Sequence, residues 1–261
     1  MRNGRFEVKK MGSQREPNSE SILAKKSLTE KLDGALYPGF AHNWDDQLFR
    51  ESILQHLTPI AVILDLGAGA GIVQQMNFRG LAAKVCGVDL DPRVVDNPML
   101  DEGKIADAGG IPYPDATFDV VFADNVLEHL PDPLAVFREI ARVLKRGGVF
   151  LFKTPNKTHY MPMIARLTPH RFHQFVNRLR GRAEADTFPT RYRANAPAAI
   201  RRLATDAGLE VVRIELIEGR PEYLRMTWPT YLLGAAYERL VNAWDGLAMF
   251  RILLVGELRK G

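Results

Sequence analysis

The chain has 261 residues, 46% of them hydrophobic and 25% charged, which is typical of a globular protein with one large domain. Its single cysteine excludes an internal disulfide framework and favours a cytoplasmic compartment. The net charge of +4 is too small by itself to indicate a nucleic-acid-binding protein. Residues 1–26 lack the apolar core of a secretory signal, and the most apolar long stretch, 223–255, is interrupted by charged side chains.

We expect residues 1–27 to form a mobile tail and residues 28–261 to form a single domain. In the segment 45–57 apolar residues recur at helical spacing, which predicts a helix.

A glycine-rich turn follows the first predicted strand, 61–65. Gly67, Gly69 and Gly71 alternate with other residues, and the pattern predicts a helix from about Ile72. Such a turn, at the carboxyl end of a parallel strand, is where open α/β sheets bind nucleotide-like ligands. Enzymes that bind flavin, nicotinamide or methyl-donor cofactors all have glycine turns at this position. A dinucleotide fingerprint would place its third glycine where Ile72 stands, which argues against a nicotinamide cofactor.

Strands and helices alternate along the rest of the chain, which indicates a parallel sheet with helices on both faces. The further predicted strands are 83–89, 104–107, 118–123, 149–154, 209–217 and 250–258, and the predicted helices begin at Pro92 or cover 133–144 and 197–207. Two insertions interrupt this order: a basic one over 155–190 and a Tyr- and Trp-rich, helical one over 218–248.

Three acids stand at three successive predicted strand ends. Asp65 would meet a ligand ammonium, directly or through water, or steady the glycine loop. Asp89 would accept hydrogen bonds from two ribose hydroxyls, although it could instead cap the helix near Pro92, a task that suits Asp91 better. Asp107 would accept from an adenine amine. Ammonium, ribose and adenine together outline S-adenosylmethionine.

The chain resembles class I S-adenosylmethionine-dependent methyltransferases of the small-molecule group that includes ubiquinone/menaquinone-biosynthesis methylases. The matching motifs occur in the family's order over roughly residues 60–155: Leu64–Gly71, Gly87–Asp89, Asp107–Ala108 with Ile111–Tyr113, Phe118–Val121, Leu127–His129 and Leu144–Gly148. The resemblance implies a doubly wound, Rossmann-like, seven-stranded and mostly parallel sheet whose last strand, 250–258, is antiparallel. It also implies methyl transfer from S-adenosyl-L-methionine, which leaves S-adenosyl-L-homocysteine, and no metal.

The resemblance assigns roles to residues of this chain. The methionine end of the donor would meet Asp65, Gly67, Ala68, Gly69, Asp124 and Asn125, and Gly71 is a further candidate cofactor contact. The ribose would meet Asp89 and Leu90, and the adenine would meet Asp107 and Ala108. The region 28–58 would form an N-terminal lid in which Tyr37, His42 and Trp44 cover the donor.

His129 is the candidate catalytic base, because a hydroxyl nucleophile needs a base within reach and His129 follows the fourth predicted strand. The alternative is a structural histidine that packs or bonds to the backbone. His170 and His173 have no acidic or cysteine partner nearby in the sequence, so a metal site is not predicted.

Positive charge concentrates in the first insertion, where 157–193 contains eight Lys or Arg residues and two acids. The segment 160–182 would attract an anionic acceptor, lie on a membrane surface as an amphipathic helix, or simply face water. Arg191, Tyr192 and Arg193 are candidate substrate contacts, because Thr187–Arg193 resembles a segment of methyltransferases from bacterial polysaccharide or glycolipid pathways.

The leading hypothesis is therefore a cytoplasmic methyltransferase, with possible peripheral contact at the inner membrane face, that acts on a hydroxyl of a small or lipid- or nucleotide-linked acceptor. DNA is not an expected partner, because the Asn/Asp-Pro-Pro-Tyr/Phe motif is absent after the fourth strand, where Asp124–Leu127 stands. The alternatives are an RNA-directed methyltransferase, an enzyme of another adenosyl or nicotinamide cofactor, and a donor-binding protein without methyl transfer. The acceptor atom and the oligomeric state stay open.

Overall fold

The computed structural model of this chain describes residues 28–38, 40, 43–167 and 189–261. Its strands are β1 (Val62–Leu66), β2 (Lys84–Asp89), β3 (Glu102–Ile105), β4 (Phe118–Asp124), β5 (Leu144–Pro155), β6 (Leu209–Ile217) and β7 (Leu253–Lys260). They form one seven-stranded sheet in the order β3-β2-β1-β4-β5-β7-β6. Neighbouring strands are parallel except at β7, which is antiparallel to both β5 and β6. The predicted fold class and the antiparallel last strand are confirmed.

The α-helices of the described residues are α1 (Leu28–Leu36), α2 (Trp44–Leu54), α3 (Pro133–Val143), α4 (Tyr160–Leu167), α5 (Pro197–Ala207) and α6 (Trp228–Ala243). Helix α5 ends at Gly208, whose φ of +74° is the left-handed conformation that glycine adopts readily after a helix. None of these helices is long and apolar enough to cross a bilayer.

The predicted helix from Ile72 is wrong. The chain forms only a short 3-10 turn at Gln74–Met76 before β2. The Arg50 guanidinium, which projects from α2, donates to the carbonyls of Gln75 and Asn77 at 2.6 and 2.8 Å. These carbonyls therefore have a partner in another element, where a helix would have used its own N–H groups.

The helix predicted at Pro92 is also a 3-10 helix, Pro92–Asp96. Asp91 caps it by accepting from the Arg93 N–H at 2.9 Å, as its position predicted.

A further difference lies between α3 and β5. The predicted strand 149–154 begins five residues earlier, because Leu144–Gly148 already belongs to β5. The Lys145 ammonium lies 2.7 Å from the Asp119 carboxylate of β4, so this part of the chain pairs with the sheet.

The core lies on both faces of the sheet. Along β4, Val121 and Ala123 belong to the cluster beneath α3 and α5, whereas Val120 and Phe122 belong to the cluster beneath α2. Because both faces are covered, the central strands are almost continuously apolar. The single cysteine, Cys86, is buried in this core with 1% of its surface exposed.

The two insertions begin where β5 and β6 end. The first continues into α4, and its residues 168–188, with His170, His173 and most of the basic segment, lie outside the described residues. The second contains α6, as its composition predicted. The division of 28–261 into lid, sheet and insertions stays a prediction.

Candidate active site

The glycine turn after β1 has a backbone that few other residues would adopt. Gly67, Gly69 and Gly71 have φ values of +85°, +50° and +71°. A Cβ on Gly67 would lie 2.3 Å from Val126 Cγ2, and one on Gly71 would lie 2.2 Å from Asn97 Oδ1. The side chains of Val126 and Asn97 therefore leave no room for a Cβ at Gly67 or Gly71.

Asp89, at the end of β2, is held in a fixed orientation beside this turn. Its Oδ2 accepts from the Gly69 N–H at 2.8 Å, and its Oδ1 accepts from the Asp91 N–H at 2.8 Å. A carboxylate has about four acceptor positions, so two remain for a ligand. Leu90 follows with a side chain that is 63% exposed.

A buried acid, Asp65, and a largely buried one, Asp124, lie at the ends of the central strands. Burial raises the pKa of Asp65 well above its usual range, and the negative charges of Asp124 and Asp89 add to this rise. Burial likewise raises the pKa of Asp124 to about 6, although the Lys153 ammonium acts in the opposite direction. A positively charged ligand would stabilise the ionised form of both carboxyl groups.

Sequence reasoning missed Lys153, which lies in β5 with a fully buried side chain. Its ammonium lies 3.0 Å from Asp124 Oδ1 and 3.1 Å from Asp45 Oδ2, and it is also hydrogen-bonded to Asp46. The sequence did contain a signal for this role, namely a lysine within the apolar run of β5. Lysine is almost never fully buried unless it is paired with an acid.

Asn97, which sequence reasoning also missed, supports the glycine turn. Its Nδ2 donates to the carbonyls of Ala68 and Gly69 at 3.0 and 3.2 Å, and its Oδ1 accepts from the Met99 N–H at 2.9 Å. The residue is 5% exposed. The sequence offers no signal for this role, because an Asn-Pro pair is typical of any loop.

We expect Asn97→Ala to lower the free energy of unfolding by about 1–3 kcal/mol, because the two turn carbonyls would lose a buried donor. The glycine turn would also lose its support, so binding of S-adenosylmethionine should weaken. Thermal unfolding and titration calorimetry measure the two effects. Asn77→Ala is the matched control, because Asn77 Oδ1 accepts only the exposed Arg79 N–H. Equal behaviour of the two variants would contradict this role of Asn97.

Asp107 and Ala108, the predicted adenine contacts, follow β3 at the same edge of the sheet. The Ala106 N–H donates to the Asp89 carbonyl at 3.0 Å, which ties this end of β3 to β2. Asp107 is exposed and accepts from the Gly109 N–H at 2.7 Å.

The two described lid residues have different surroundings. The Tyr37 hydroxyl donates to Glu238 of α6 at 2.9 Å, and its ring packs edge-on against Tyr231, so Tyr37 joins α1 to α6. Trp44 begins α2, and its buried Nε1 has no hydrogen-bond partner. A Cβ on Gly219 would lie 2.4 Å from the Trp44 ring, so the indole packs against backbone at that point. His42 lies outside the described residues.

His129 lies in the loop after β4, next to the buried Glu128. The His129 Nδ1 is 3.1 Å from the Pro189 carbonyl, which requires a proton on Nδ1 and leaves Nε2 as the basic nitrogen of the neutral ring. Nε2 is 3.9 Å from Glu128 Oε1. Glu128 also accepts from the Thr154 hydroxyl at 2.7 Å, and Thr154 accepts from the Asn195 amide at 2.7 Å. This network of hydrogen bonds holds the Glu128 carboxylate on the Nε2 side of the imidazole.

The segment 189–195 folds onto this same loop. The N–H groups of Arg191 and Tyr192 donate to the Glu128 carbonyl at 2.6 and 3.1 Å, and Arg193 Nη1 donates to the Pro131 carbonyl at 2.6 Å. Arg191 and Arg193 are exposed. The structure therefore brings the three candidate substrate contacts to the loop that carries His129.

A family model described as a methyltransferase domain matches residues 64–152. The ubiquinone biosynthesis O-methyltransferase of Thiobacillus denitrificans is 27% identical over 67% of this chain and 82% of its own length. The ubiquinone biosynthesis O-methyltransferase of Xanthomonas campestris is 30% identical over 54% of this chain and 67% of its own length. The chain belongs to the class I S-adenosylmethionine-dependent methyltransferases.

The fold of this methyltransferase is also that of solved relatives. The geranyl diphosphate C-methyltransferase of Streptomyces coelicolor superposes with a TM-score of 0.53 at 16% identity, over 83% of this chain and 79% of that one. The predicted family and enzyme class are confirmed.

The residues of the methyltransferase suit its cofactor, S-adenosyl-L-methionine. The donor's ammonium and sulfonium are positively charged, and the acids Asp65 and Asp124 are buried with raised pKa values. Asp89 retains acceptor positions for hydroxyl groups, and the turn at Gly69 presents backbone without a side chain. Among the described residues, no three His, Cys, Asp or Glu side chains lie close enough together to hold a metal ion.

Proposed function

We propose that this methyltransferase transfers a methyl group to a hydroxyl of a small or lipid- or nucleotide-linked acceptor. The observation that carries the proposal is the imidazole of His129, which is fixed through Nδ1 by the Pro189 carbonyl and lies in the loop after the strand that carries Asp124. A hydroxyl needs a base, and Nε2 of this ring, with the buried carboxylate of Glu128 3.9 Å away, can serve as one. The O-methyltransferase relatives named above support the same choice.

The acids and the glycine turn would bind and orient the donor. Asp65 and Asp124 would receive the ammonium, Asp89 the ribose hydroxyls and Asp107 the adenine amine. When bound, S-adenosylmethionine supplies an electrophilic methyl group on a good leaving group. The main contribution of the chain is therefore to hold the reactants in line and to exclude water, a task for Trp44 and the lid.

His129 would take the proton of the acceptor hydroxyl at Nε2 as the new bond to oxygen forms. Glu128, 3.9 Å from Nε2, would then stabilise the imidazolium. Burial raises the pKa of Glu128, and the positive charge of His129 acts in the opposite direction, so an imidazolium at His129 would favour the ionised form of Glu128.

We expect His129→Ala to slow turnover by about 100-fold or more, as for the loss of a general base, while it leaves donor affinity unchanged. Rapid-quench turnover and calorimetry with S-adenosylmethionine separate the two quantities. His56→Ala is the control, because His56 lies 3.5 Å from Glu257 of β7, away from the loop after β4. Turnover equal to that of the unmodified enzyme on the true acceptor would leave His129 with a structural role.

Exposed apolar side chains on the second insertion support a lipid-linked acceptor that the enzyme meets at a membrane surface. Helix α6 is apolar on its inner side and also on its outer side. The large apolar side chains exposed along α6 and just beyond it are Trp228, Leu232, Leu233, Leu240 and Trp244. Indole rings beside leucine are typical of surfaces that contact the lipid interface.

The test combines enzyme, methyl-labelled S-adenosylmethionine and a fractionated extract of lipids, polysaccharide precursors and RNA. We expect the label in the lipid or polysaccharide-precursor fraction, as a methyl ether that mass spectrometry identifies. Label in RNA would replace the proposed acceptor, and a methylated nitrogen or carbon would replace the proposed hydroxyl. Donor binding without transfer to any fraction would favour a donor-binding protein.

A further inference from the structure

Lys153 joins three elements at the edge of the proposed donor site. Its ammonium is buried and lies within ion-pair distance of Asp45 and Asp46 of α2 and of Asp124 of β4. The Lys153 ammonium also lies 6.0 Å from the centre of the Phe49 ring, on the buried side of α2. The lid helix is therefore held to the sheet at this point by charge as well as by packing.

The carboxyl groups around Lys153 outnumber its single positive charge. Three carboxyl groups, those of Asp45, Asp46 and Asp124, share the ammonium of Lys153, and a fourth, that of Asp65, interacts with Asp124 by charge repulsion. Asp65 has no hydrogen bond or ion pair of its own among these residues, and Asp124 and Asp89 raise its pKa further. A buried ammonium needs carboxylate partners, and buried carboxylates need cations. A change in the charge of one of these groups therefore changes the electrostatic energy of the others.

We propose that Lys153 is a positioning residue that couples the docking of lid helix α2 to donor binding. The inference rests on the proposed donor site. The donor's ammonium, placed at Asp65 and Asp124, would add the missing positive charge. Lys153 would then interact more strongly with Asp45 and Asp46, and α2 would be held more firmly over the bound donor.

Removal of the charge should break this coupling. In Lys153→Met the carboxyl groups of Asp45, Asp46 and Asp124 would lose the ammonium that pairs with all three, so Asp45 and Asp46 would be repelled by Asp124 and α2 would open more often. Donor binding would still neutralise Asp65 and Asp124, but no ammonium would transmit the change to α2. Two sites that share one group in this way are coupled reciprocally.

Hydrogen exchange of the amides of α2, with and without S-adenosylmethionine, tests the proposal. In the unmodified protein, donor should slow exchange in α2 by roughly tenfold, within the usual range of coupling between sites. In Lys153→Met, α2 should exchange faster without donor, and donor should not restore the protection. Lys145→Met is the matched control, because the Lys145 ammonium pairs with Asp119 near the opposite end of β4.

Two outcomes would overturn the proposal: α2 protected as in the unmodified protein, or a full donor response of α2 in Lys153→Met. Calorimetry on the unmodified protein tests the donor site separately, because absence of donor binding there would remove the site and leave the docking of α2 intact. If Lys153→Met does not fold, the double variant Asp45→Asn, Asp46→Asn gives the same test. Its α2 should lose the donor response while Lys153 still pairs with Asp124, and a retained response would reject the coupling.

Discussion

Replacing Asp89 by alanine is expected to weaken the binding of S-adenosylmethionine by about tenfold or more, because each hydrogen bond to an ionised group contributes roughly 1.5–3 kcal/mol. The variant loses the proposed acceptor of both ribose hydroxyls. It also loses the acceptor that holds the Gly69 N–H at 2.8 Å, so the glycine turn is less well fixed. Titration calorimetry gives the affinity, and circular dichroism shows whether the fold is retained.

Asp91→Ala is the matched control for this prediction. Asp91 lies two residues away and has a carboxylate of the same kind, but it binds the Arg93 N–H and guanidinium at the surface. Its loss should leave donor affinity within about twofold, as for a surface substitution away from the ligand. Unchanged affinity in a folded Asp89→Ala variant would rule out the ribose assignment.

Donor affinity is expected to rise with pH between 5 and 7. Asp124 has a pKa of about 6 without donor, so below pH 6 it is mostly protonated. A bound ammonium favours the carboxylate, so binding releases a proton wherever Asp124 was protonated. The association constant should therefore rise by up to about tenfold per pH unit below the pKa and level off above it.

The groups that face Asp124 determine this profile. They are Lys153, which favours ionisation, and Asp45, Asp46 and Asp65, which oppose it. Because the pKa of Asp65 is also raised, a second proton can be released at higher pH. Calorimetry in buffers of different ionisation enthalpy counts the protons released. Asp124→Asn should flatten the profile, and an unmodified protein with equal affinity at pH 5 and 7 would contradict the assignment.

Residues that end helices and short alternating segments made much of the fold predictable. Strand β6 begins and ends at the predicted residues, because Gly208 ends the preceding helix and an alternating segment follows. The helix expected at Ile72 failed for a reason that no local pattern reveals. Its carbonyls at Gln75 and Asn77 are bound by Arg50, a contact that depends on how α2 packs.

Within the candidate site, too, local patterns placed some residues, whereas others depend on contacts between distant parts of the chain. Asp65, Asp89 and Asp107 could be placed together because carboxyl ends of neighbouring parallel strands share one edge of the sheet. Lys153 and Asn97 could not be placed, because the carboxylates that pair with Lys153 and the turn carbonyls that Asn97 binds are separated from them by 28 or more residues of chain. The roles of both residues depend on tertiary packing. Only for Lys153 does the residue type, a lysine within an apolar strand, indicate that a partner is needed.

The excess of acids around Lys153 also bears on how the enzyme exchanges spent product for fresh donor. Methyl transfer converts a sulfonium into a neutral thioether, so the molecule in the site loses one positive charge while Asp65 and Asp124 keep their positions. These acids attract the product less strongly than the donor. We therefore expect the charge distribution that favours donor entry to favour product departure as well.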